Sequence, residues 1–543
     1  MNSTTKLWNV LSVFTVVILV AVEAVLLFTV WNINLLPTPF FVSVALVLFA
    51  FLMGICFLLF FKIRQSTRMK ARVRVVIALI LAVLMVLLCT FAFTAVGKLG
   101  KTLEDITEPV AKTSAYAVYV RTNDQAQSLP DASAYRFAMT STENEDVKTQ
   151  CVEKINEETG ITINMLSYDS LPALVNGLYE QSCDAIILNS AYEGMLADSE
   201  EFADFLLQAR KIYEIGVNGD GESANLPGAV EATPKPLPPV SIDNVTTKPF
   251  IIYLSGSDTR SEVLTASRSD VNILAVVNPV SKTILLLNTP RDYYVANPAG
   301  GGALDKLTHC GIYGVDCSMA ALAELYGAEV KSYAQINFSG FETLIDAIGG
   351  IDVDSDVAFV AQEADYQIVQ GQNHLNGYQA LAFARERYNL PNGDRDRGKN
   401  QMKIISAVIS RMSAGTLLSN YSEILNSITG MFSTNMTTED ISDLVKMQLS
   451  DMASWDIHSY AATGTDGSAI TYSMQGMNAY VMYPDDASVS HAKALVQKVL
   501  NGETLTDQDV AAVTPPAVAA DAAPDAAAGT APDAAAELQA DAA

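Results

Sequence analysis

"FIIYLSGSDTR", residues 250 to 260, combines a short apolar run with a Gly/Ser turn that presents Asp258. A short apolar run bounded by turn residues is typical of a buried β-strand. The next apolar run, "SRSDVNILAVVNP", begins with Arg268 and Asp270. Ligand crevices in open α/β sheets lie at strand ends of this kind. The two stretches therefore predict an α/β domain whose charged residues meet at one edge of its sheet.

A third apolar run extends this pattern. "SKTILLLNTPRDYYV", residues 281 to 295, leaves its strand at Asn288 and then presents Arg291 and Asp292 after Pro290. Two carboxylates supply the hard oxygen ligands that Mg²⁺ takes together with substrate phosphates. Guanidinium groups match phosphate oxygens bidentately and stay ionised. The strand ends therefore predict a site for a phosphate-bearing ligand and a divalent cation.

A fourth stretch, "RERYNLPNGDRDRGKN", residues 385 to 400, concentrates arginines in a chain whose formal net charge is −26. Arg385 and Arg387 follow a predicted helix, and the "NLPNGD" turn brings Asp394 and Arg397 back towards them. Because planar guanidinium forks bind phosphate oxygens in pairs, we expect these side chains to collect a pyrophosphate.

Three apolar runs near the N-terminus, at about 7–31, 40–61 and 75–96, each have the roughly 20 residues needed to cross a bilayer. The segment 62–74 lies between the second and third runs and carries basic residues but no acid. The positive-inside rule places that segment in the cytoplasm. We therefore expect a multi-pass protein of the cell membrane, with its N-terminus cytoplasmic and the large C-terminal region extracytoplasmic.

Composition divides the chain further. Alternating strand and helix patterns predict a smaller accessory α/β domain before the main one, with a Pro/Gly-rich linker between them. The last forty residues are rich in Ala, Asp and Pro, contain no basic residue, and cannot bury a core. The predicted organisation is a membrane domain at 1–98, an accessory domain at 99–217, a linker at 218–249, a catalytic domain at 250–503, and a disordered tail at 504–543.

Nucleic acid is the obvious rival anion for the arginines. An extracytoplasmic location and the lack of an extended basic surface with interleaved aromatic residues argue against it. We expect no nucleic-acid partner.

Four cysteines lie outside the predicted membrane spans, at Cys151, Cys183, Cys310 and Cys317. Because extracytoplasmic compartments are oxidising, they suggest two disulfides, most simply Cys151–Cys183 and Cys310–Cys317. The sequence alone allows three pairings. A zinc site is disfavoured because the chain has no CxxC pair.

The motifs already quoted, together with "LDKLTHCGIYG" at 304–314 and "QINFSGFETLIDAIGGIDVD" at 335–354, occur in the order and spacing of the LytR–CpsA–Psr family. The chain resembles that family over roughly 250–410, and its three spans and accessory domain resemble the streptococcal-type capsule-attaching branch. The resemblance implies an α/β/α sandwich with a mainly β core. It also implies transfer of a glycopolymer from a polyprenyl-pyrophosphate carrier to peptidoglycan, through a phosphodiester bond.

The resemblance also assigns roles to individual residues. It makes two aspartates the ligands of Mg²⁺, or of Mn²⁺ in its place, and it puts one arginine closest to the reacting phosphate. The metal ligands implied are Asp258 and Asp270; the catalytic residues are Arg268, Asp270 and Arg291; the pyrophosphate-binding residues are Arg291, Lys306, Arg385, Arg387, Arg397 and Gln401; and Asp394 orients neighbouring arginines.

Several alternatives remain open. The glycopolymer could be a capsular polysaccharide, a teichoic acid or a similar wall glycan. The same site could hydrolyse lipid pyrophosphates with water as the acceptor, and a non-enzymatic membrane-bound envelope regulator is a third reading. The apolar stretches 319–327 and 338–350 could line a tunnel for the prenyl chain, and ordinary core packing explains them equally well.

Overall fold

The computed structural model describes most of the chain. Part of the basic segment that predicts the membrane orientation, residues 61–67, lies outside the described residues, and so does the predicted tail from residue 512 onward. The described residues are 3–34, 36–60, 68–107, 113–197, 199, 201–218, 238–259, 264–412, 424 and 428–511.

The described helices and strands alternate through most of the chain after the first three helices. The helices are α1 (Ser3–Ile33), α2 (Thr38–Phe60), α3 (Arg68–Thr107), α4 (Glu145–Thr159), α5 (Leu171–Tyr179), α6 (Ala191–Ala197), α7 (Phe205–Gln208), α8 (Leu307–Cys310), α9 (Val315–Tyr326), α10 (Phe338–Ala347), α11 (Gly377–Arg385), α12 (Asp394–Arg411), α13 (Thr438–Asp451) and α14 (Asp486–Leu500). The strands are β1 (Thr113–Arg121), β2 (Phe137–Thr140), β3 (Met165–Tyr168), β4 (Ala185–Asn189), β5 (Ala209–Asn218), β6 (Phe250–Ser257), β7 (Thr265–Ala266), β8 (Ser269–Asn278), β9 (Thr283–Asn288), β10 (Tyr294–Asn297), β11 (Ala303–Lys306), β12 (Ser332–Asn337), β13 (Ile351–Ser355), β14 (Phe359–Ala361), β15 (Tyr366–Ile368), β16 (Gly371–Leu375), β17 (Phe432–Thr434), β18 (Asp456–Ala461), β19 (Gly464–Ile470) and β20 (Asn478–Pro484).

Helices α1 to α3 contain three segments long and apolar enough to cross a membrane, as the three apolar runs predict. These segments are Val10–Ile33, Thr38–Phe60 and Val73–Thr107. The last of them continues about ten residues beyond the predicted end of the third run. The end of α3 packs through Leu103 and Ile106 against Phe432 and Ile441. Phe432 lies in β17, an edge strand of a sheet, so α3 itself connects its membrane segment to that sheet.

The first sheet lies in residues 113–218 and has the strand order β3-β2-β4-β1-β5, with the short strand β7 also paired to β1. Alternate residues of β1 face opposite sides, as the pleat requires. Ala117 and Tyr119 pack into one apolar core, and Tyr116 and Val118 pack into the other. Both faces of this sheet are therefore covered.

The second sheet has the order β17-β12-β6-β8-β9-β18 and is mixed. Strands β6, β8 and β9 run antiparallel to one another, whereas β12 is parallel to β6 and β18 is parallel to β9. Tyr253 and Leu274 pack on one face with residues of α9 and α14. Ile273 and Leu286 pack on the other face with residues of α12 and α13. The predicted α/β/α sandwich is confirmed.

The remaining described strands form four two-stranded antiparallel sheets, β10-β11, β13-β16, β14-β15 and β19-β20. Packing continues across two of the predicted boundaries. Val245 of the predicted linker is buried, and Leu505 of the predicted tail is buried as well. Asp509 of that tail forms an ion pair with Lys498 of α14 at 2.7 Å.

The predicted disulfides are wrong for this structure, in which all four cysteines are free. Cys151 lies in the core on one face of the first sheet and Cys183 in the core on the other face, so the sheet separates the two thiols. Cys310 and Cys317 are neighbours, but the Cys317 thiol donates to Oδ1 of Asn297 at 3.2 Å. The adjoining Cys317 thiol and burial raise the pKa of Cys310.

Candidate functional site

The site begins where β6 ends and β8 starts. These strands are antiparallel neighbours, so the end of one lies beside the start of the other. Buried hydroxyl groups join them: Ser257 Oγ lies 2.6 Å from Ser267 Oγ, and Ser255 Oγ lies 2.9 Å from Ser269 Oγ. This hydrogen bonding fixes the backbone on either side of the charged residues at the two strand ends.

Two ion pairs stand at these strand ends. Arg268 donates from Nε and Nη2 to Oδ2 of Asp258, at 3.1 and 2.9 Å. Arg291, from the turn after β9, donates from Nη1 to Oδ1 of Asp270 at 2.9 Å. All four side chains are largely buried, the most exposed being Asp258 at 18%. In this geometry each carboxylate has an arginine beside it.

The two carboxylates also affect each other. Burial and the negative charge of Asp270 raise the pKa of Asp258, with Arg268 offsetting part of the effect. Burial alone would raise the pKa of Asp270, but the guanidinium groups of Arg291 and Arg268 hold it below its ordinary value. The opposite directions of the two pKa shifts reflect this mutual repulsion and the different arginine partners of the two carboxylates.

A chain of buried charges extends behind Arg291. Its Nε lies 3.5 Å from Oδ2 of Asp292, and the other oxygen of Asp292 lies 3.1 Å from Nζ of Lys306. Burial would raise the pKa of Asp292, but Arg291 and Lys306 hold it below its ordinary value. Lys306 is therefore linked to Arg291 through Asp292, and it lies on the far side of Asp292 from Arg291.

The second group of arginines comes from α11 and the turn after it. The Arg385 guanidinium lies over the ring of Phe338, 4.4 Å from its centroid, and pairs with Glu363. Arg387 lies 4.6 Å from the ring centroid of Tyr388. An aromatic ring therefore packs against each of these two guanidinium groups.

Helix α12 supplies the third part of the site. It begins at Asp394, which forms an ion pair with Arg397 one turn later. Burial lowers the pKa of Arg397, whereas the charge of Asp394 acts in the opposite direction. Gln401, on the next turn of α12, donates to the carbonyl of Ala384 at 3.4 Å and so ties α12 to α11.

These elements enclose a cavity of about 950 Å³ between the second sheet and helices α10 to α12. Among the described residues, five arginines and three carboxylates line it, an excess of two positive charges. Its apolar part runs on between the sheet and α12. The charged lining residues are Arg268, Asp270, Arg291, Glu363, Arg385, Glu386, Arg387 and Arg397; the apolar ones include Ile252, Leu254, Val277, Ile284, Phe341, Leu344, Ile404, Val408, Ile409 and Phe432.

The structure brings most of the predicted site residues to this one cavity. Three predicted members are not among its described lining residues: Asp258 contacts the lining residue Arg268, Asp394 contacts the lining residue Arg397, and Lys306 lies further back. The two apolar stretches that could line a prenyl tunnel, 319–327 and 338–350, lie in different places. Described lining residues come from the 338–350 stretch, whereas the 319–327 stretch packs on the opposite face of the sheet.

Two residues at the site escape sequence analysis. Glu363 lies 22 positions before Arg385, in a turn with no recognisable motif. Gly194 belongs to the first sheet's helix α6 yet lines the cavity. For Gly194 and Glu363, only the tertiary fold brings them to the site.

The donor set is consistent with a magnesium ion. Within the described part of the chain, no group of three or more His, Cys, Asp or Glu side chains is placed to hold a metal. Magnesium does not need such a cage, because it keeps several waters and takes one or two carboxylates together with substrate phosphates. Asp258 and Asp270 supply two carboxylates of this kind.

Comparison with known proteins identifies the family. The model described as "LytR_cpsA_psr family" matches residues 217–494, more than half of the chain. The polyisoprenyl-teichoic acid–peptidoglycan teichoic acid transferase TagU of Bacillus mycoides (strain KBAB4) is 34% identical over 200 residues, which cover 37% of this chain and 64% of that protein. The TagU of Enterococcus faecalis (strain ATCC 700802 / V583) is 34% identical over 196 residues, 36% of this chain and 64% of that protein.

A solved structure, that of B. subtilis TagV, shares 27% identity with a TM-score of 0.40, over 48% of this chain and 99% of that one. The alignments with the two TagU proteins span less than two thirds of those relatives' own length. The family match itself covers the second sheet, the helices on both of its faces, and every residue of the site described above except Gly194. The chain therefore belongs to the LytR–CpsA–Psr family.

Proposed function

We propose that this protein is a membrane-anchored phosphotransferase that attaches a glycopolymer to peptidoglycan. The observation that carries the proposal is a single cavity with arginines at one part and an apolar lining in the other. A polyprenyl pyrophosphate has the same division, a doubly charged head on a hydrocarbon chain. The names of the relatives, teichoic acid transferases to peptidoglycan, support the same reading.

In this proposal the arginines hold the pyrophosphate and the apolar lining holds the prenyl chain. Arg268 and Arg291 lie at the strand ends, and Arg385, Arg387 and Arg397 face them from α11, the turn after it, and α12. Guanidinium groups bind phosphate oxygens in pairs. Burial of the prenyl chain contributes about 25 cal/mol per Å² of apolar surface removed from water.

The proposed reaction breaks the phosphoanhydride bond of the pyrophosphate and forms a phosphate ester bond to peptidoglycan. A hydroxyl oxygen of peptidoglycan attacks the phosphorus that carries the glycan, and the bond from that phosphorus to the bridging oxygen breaks. Polyprenyl phosphate leaves with the bridging oxygen, and the hydroxyl proton is taken up by the released phosphate. The arginines offset the charge that develops on the transferred group, and their fixed positions hold the reacting atoms in line.

A divalent cation is part of the proposal. Asp258 and Asp270 would hold Mg²⁺, or Mn²⁺ in its place, and the ion would neutralise phosphate charge. Their arginine partners, Arg268 and Arg291, would then be shared between the carboxylates and the substrate. Which glycopolymer is carried, a teichoic acid or a capsular polysaccharide, is left to the assay.

The membrane orientation belongs to the same proposal. Peptidoglycan lies outside the cytoplasmic membrane, so the cavity must lie there too. The basic segment 62–74 would stay cytoplasmic, as the positive-inside rule predicts. The contact of α3 with Phe432, a residue that also lines the cavity, puts the apolar lining next to the membrane-spanning helix.

The decisive experiment uses the full chain in detergent with a polyprenyl-pyrophosphate-linked glycan, with and without peptidoglycan fragments. We expect glycan on the fragments only when all components are present. Release of free glycan phosphate at equal rates with and without the fragments would indicate a hydrolase. No turnover in either case would favour a regulatory role.

A further inference from the structure

Helix α6 of the first sheet reaches into the cavity of the second sheet. Gly194 and Ala197 of α6 line the cavity, although they precede the catalytic strands by more than fifty residues. The helix is firmly held on its own side. Tyr119 Oη donates to Oε2 of Glu193 at 2.7 Å, and Met195 packs into the core under β1.

Gly194 is in close contact with Arg268. A Cβ atom added at Gly194 would lie 2.6 Å from Cζ of Arg268 and 3.0 Å from its Nη1. Real Cβ atoms essentially never approach that closely, so a side chain of any size would displace the guanidinium. The same guanidinium donates to Asp258. The bare backbone of Gly194 thus sets where the Arg268 head can lie.

The segment that carries Arg268 is fixed to the first sheet as well. Strand β7 pairs in parallel with β1, through Thr265 beside Thr113 and Ala266 beside Ser114, and Arg268 follows two residues later. On its other side, a Cβ at Gly311 would meet the backbone between Ser267 and Ser269. The Arg268 loop therefore lies between strand β1 of the first sheet and Gly311 at the end of α8.

Contacts with the C-terminal part of the chain also hold α6 in place. Met474, Met477 and Ala479 from the second part of the chain belong to the same buried core as Met195 of α6. Ser199, just after α6, also forms a β-bridge with Ala479. Apolar packing of this kind gives α6 a fixed place above the cavity.

We propose that Gly194 is a positioning residue for Arg268, and that the α/β unit built on the first sheet, residues 113–218, forms part of the active site. The inference rests on the proposed transferase function and adds a role for the unit that sequence analysis treats only as an accessory domain. Through Gly194 the unit forms one wall of the cavity and sets the direction in which Arg268 presents its guanidinium to the substrate phosphate.

Gly194→Ala separates this role from a structural one. The clash falls on the far end of a flexible side chain, so the fold can relieve it by moving Arg268 alone. Alanine is also a better helix former than glycine, so α6 itself should not be weakened. Because Gly194→Ala displaces Arg268 from its ion pair with Asp258 but does not remove it, we expect a smaller fall in melting temperature than for Arg268→Ala, together with a loss of activity.

The test is a double-mutant cycle in the full chain, with Gly194→Ala, Arg268→Ala and the double variant compared with the unmodified protein. Gly97→Ala is the control, because Gly97 is also helical and a Cβ there meets nothing within 4 Å. We expect Gly194→Ala to lower the transfer rate roughly 10- to 100-fold, less than the roughly 10²- to 10³-fold loss seen when a transition-state donor is removed. The double variant should be no slower than Arg268→Ala, since both changes act through one side chain.

A second readout keeps the inference separate from the proposed function. Affinity for inorganic pyrophosphate, measured by calorimetry, should fall in Gly194→Ala, and in the double variant it should fall no further than in Arg268→Ala. If the unmodified protein does not transfer glycan but the binding cycle behaves in this way, the proposed function fails and the positioning role stands. If Gly194→Ala matches the control, or if its effect multiplies that of Arg268→Ala, the positioning role is wrong.

Discussion

Replacing Lys306 by methionine distinguishes a buried ion-pair partner from a direct ligand of the pyrophosphate. Lys306 is 4% exposed, and its Nζ lies 3.1 Å from a carboxylate oxygen of Asp292. Breaking a buried pair by removing one partner costs about 3–5 kcal/mol. Because Asp292 keeps Arg291 at 3.5 Å, we expect the lower end of that range, about 3 kcal/mol. In a domain of this size that loss lowers the melting temperature by about 6–12 °C.

The loss should depend on pH in a defined direction. The pKa of Asp292 lies below its ordinary value in the folded protein, so its ionisation stabilises the fold above the ordinary pKa of about 4. That stabilisation is lost as the pH falls through the folded-state pKa. Without Lys306 the folded-state pKa rises, so the difference in stability between Lys306→Met and the unmodified protein should be greatest at neutral pH and shrink towards pH 4.

Thermal unfolding of the detergent-solubilised chain between pH 4 and 7.5 measures both effects. Adding Asp292→Asn to Lys306→Met should recover part of the stability, because the uncompensated charge is removed. Affinity for inorganic pyrophosphate should change less in Lys306→Met than in Arg387→Ala. An unchanged melting temperature combined with a tenfold or larger loss of pyrophosphate affinity would show that Lys306 is a ligand, as the family resemblance implies, and would refute the reasoning above.

Three further predictions address the cavity. Arg387→Ala should slow transfer by about 10²- to 10³-fold, equivalent to about 2.7–4 kcal/mol. Arg395→Ala should transfer normally, because the Arg395 side chain is exposed and pairs with Asp466. Equal rates for the two variants would contradict the assignment of Arg387 to pyrophosphate binding. Val408→Trp should fill the apolar part of the cavity and weaken binding of long-chain donors but not of inorganic pyrophosphate. Val369→Trp, at a position that is 49% exposed, is the control. An equal loss of affinity for both ligands in Val408→Trp would count against a prenyl site. Chelation of divalent ions should stop transfer, and added Mg²⁺ should restore it. Asp258→Asn should require a higher Mg²⁺ concentration for the same rate. Transfer that persists in excess chelator would exclude a role for a divalent cation.

Much of the architecture is predictable from local sequence pattern. The strands β6, β8 and β9 are short apolar runs bounded by turn residues, which predict a buried sheet, whereas the sandwich arrangement is what the family resemblance implies. The membrane helices are predictable because a run of about 20 apolar residues has few other uses. The position of Arg291 is predictable too, since Pro290 ends its strand at the same edge of the sheet as Asp258.

Contacts between distant segments are what sequence pattern could not supply. Cys151 and Cys183 are the simplest pair by sequence order, but they pack into the cores on opposite faces of the first sheet. Lys306 lies in a motif that resembles a ligand-bearing one, yet its ammonium is turned to Asp292. Gly194 carries no chemical signal at all, because its role depends on the absence of a side chain beside Arg268. These relations depend on tertiary packing rather than on periodicity.

The most direct test of the central claim is the identity of the lipid that the protein retains. The claim is that one cavity holds a pyrophosphate head among the arginines and a prenyl chain along α12. Mass spectrometry of lipids extracted from the purified full chain should detect a polyprenyl pyrophosphate, and the amount should fall in both Arg387→Ala and Val408→Trp. Absence of any prenyl lipid from the unmodified protein, or equal amounts in all three proteins, would contradict the claim.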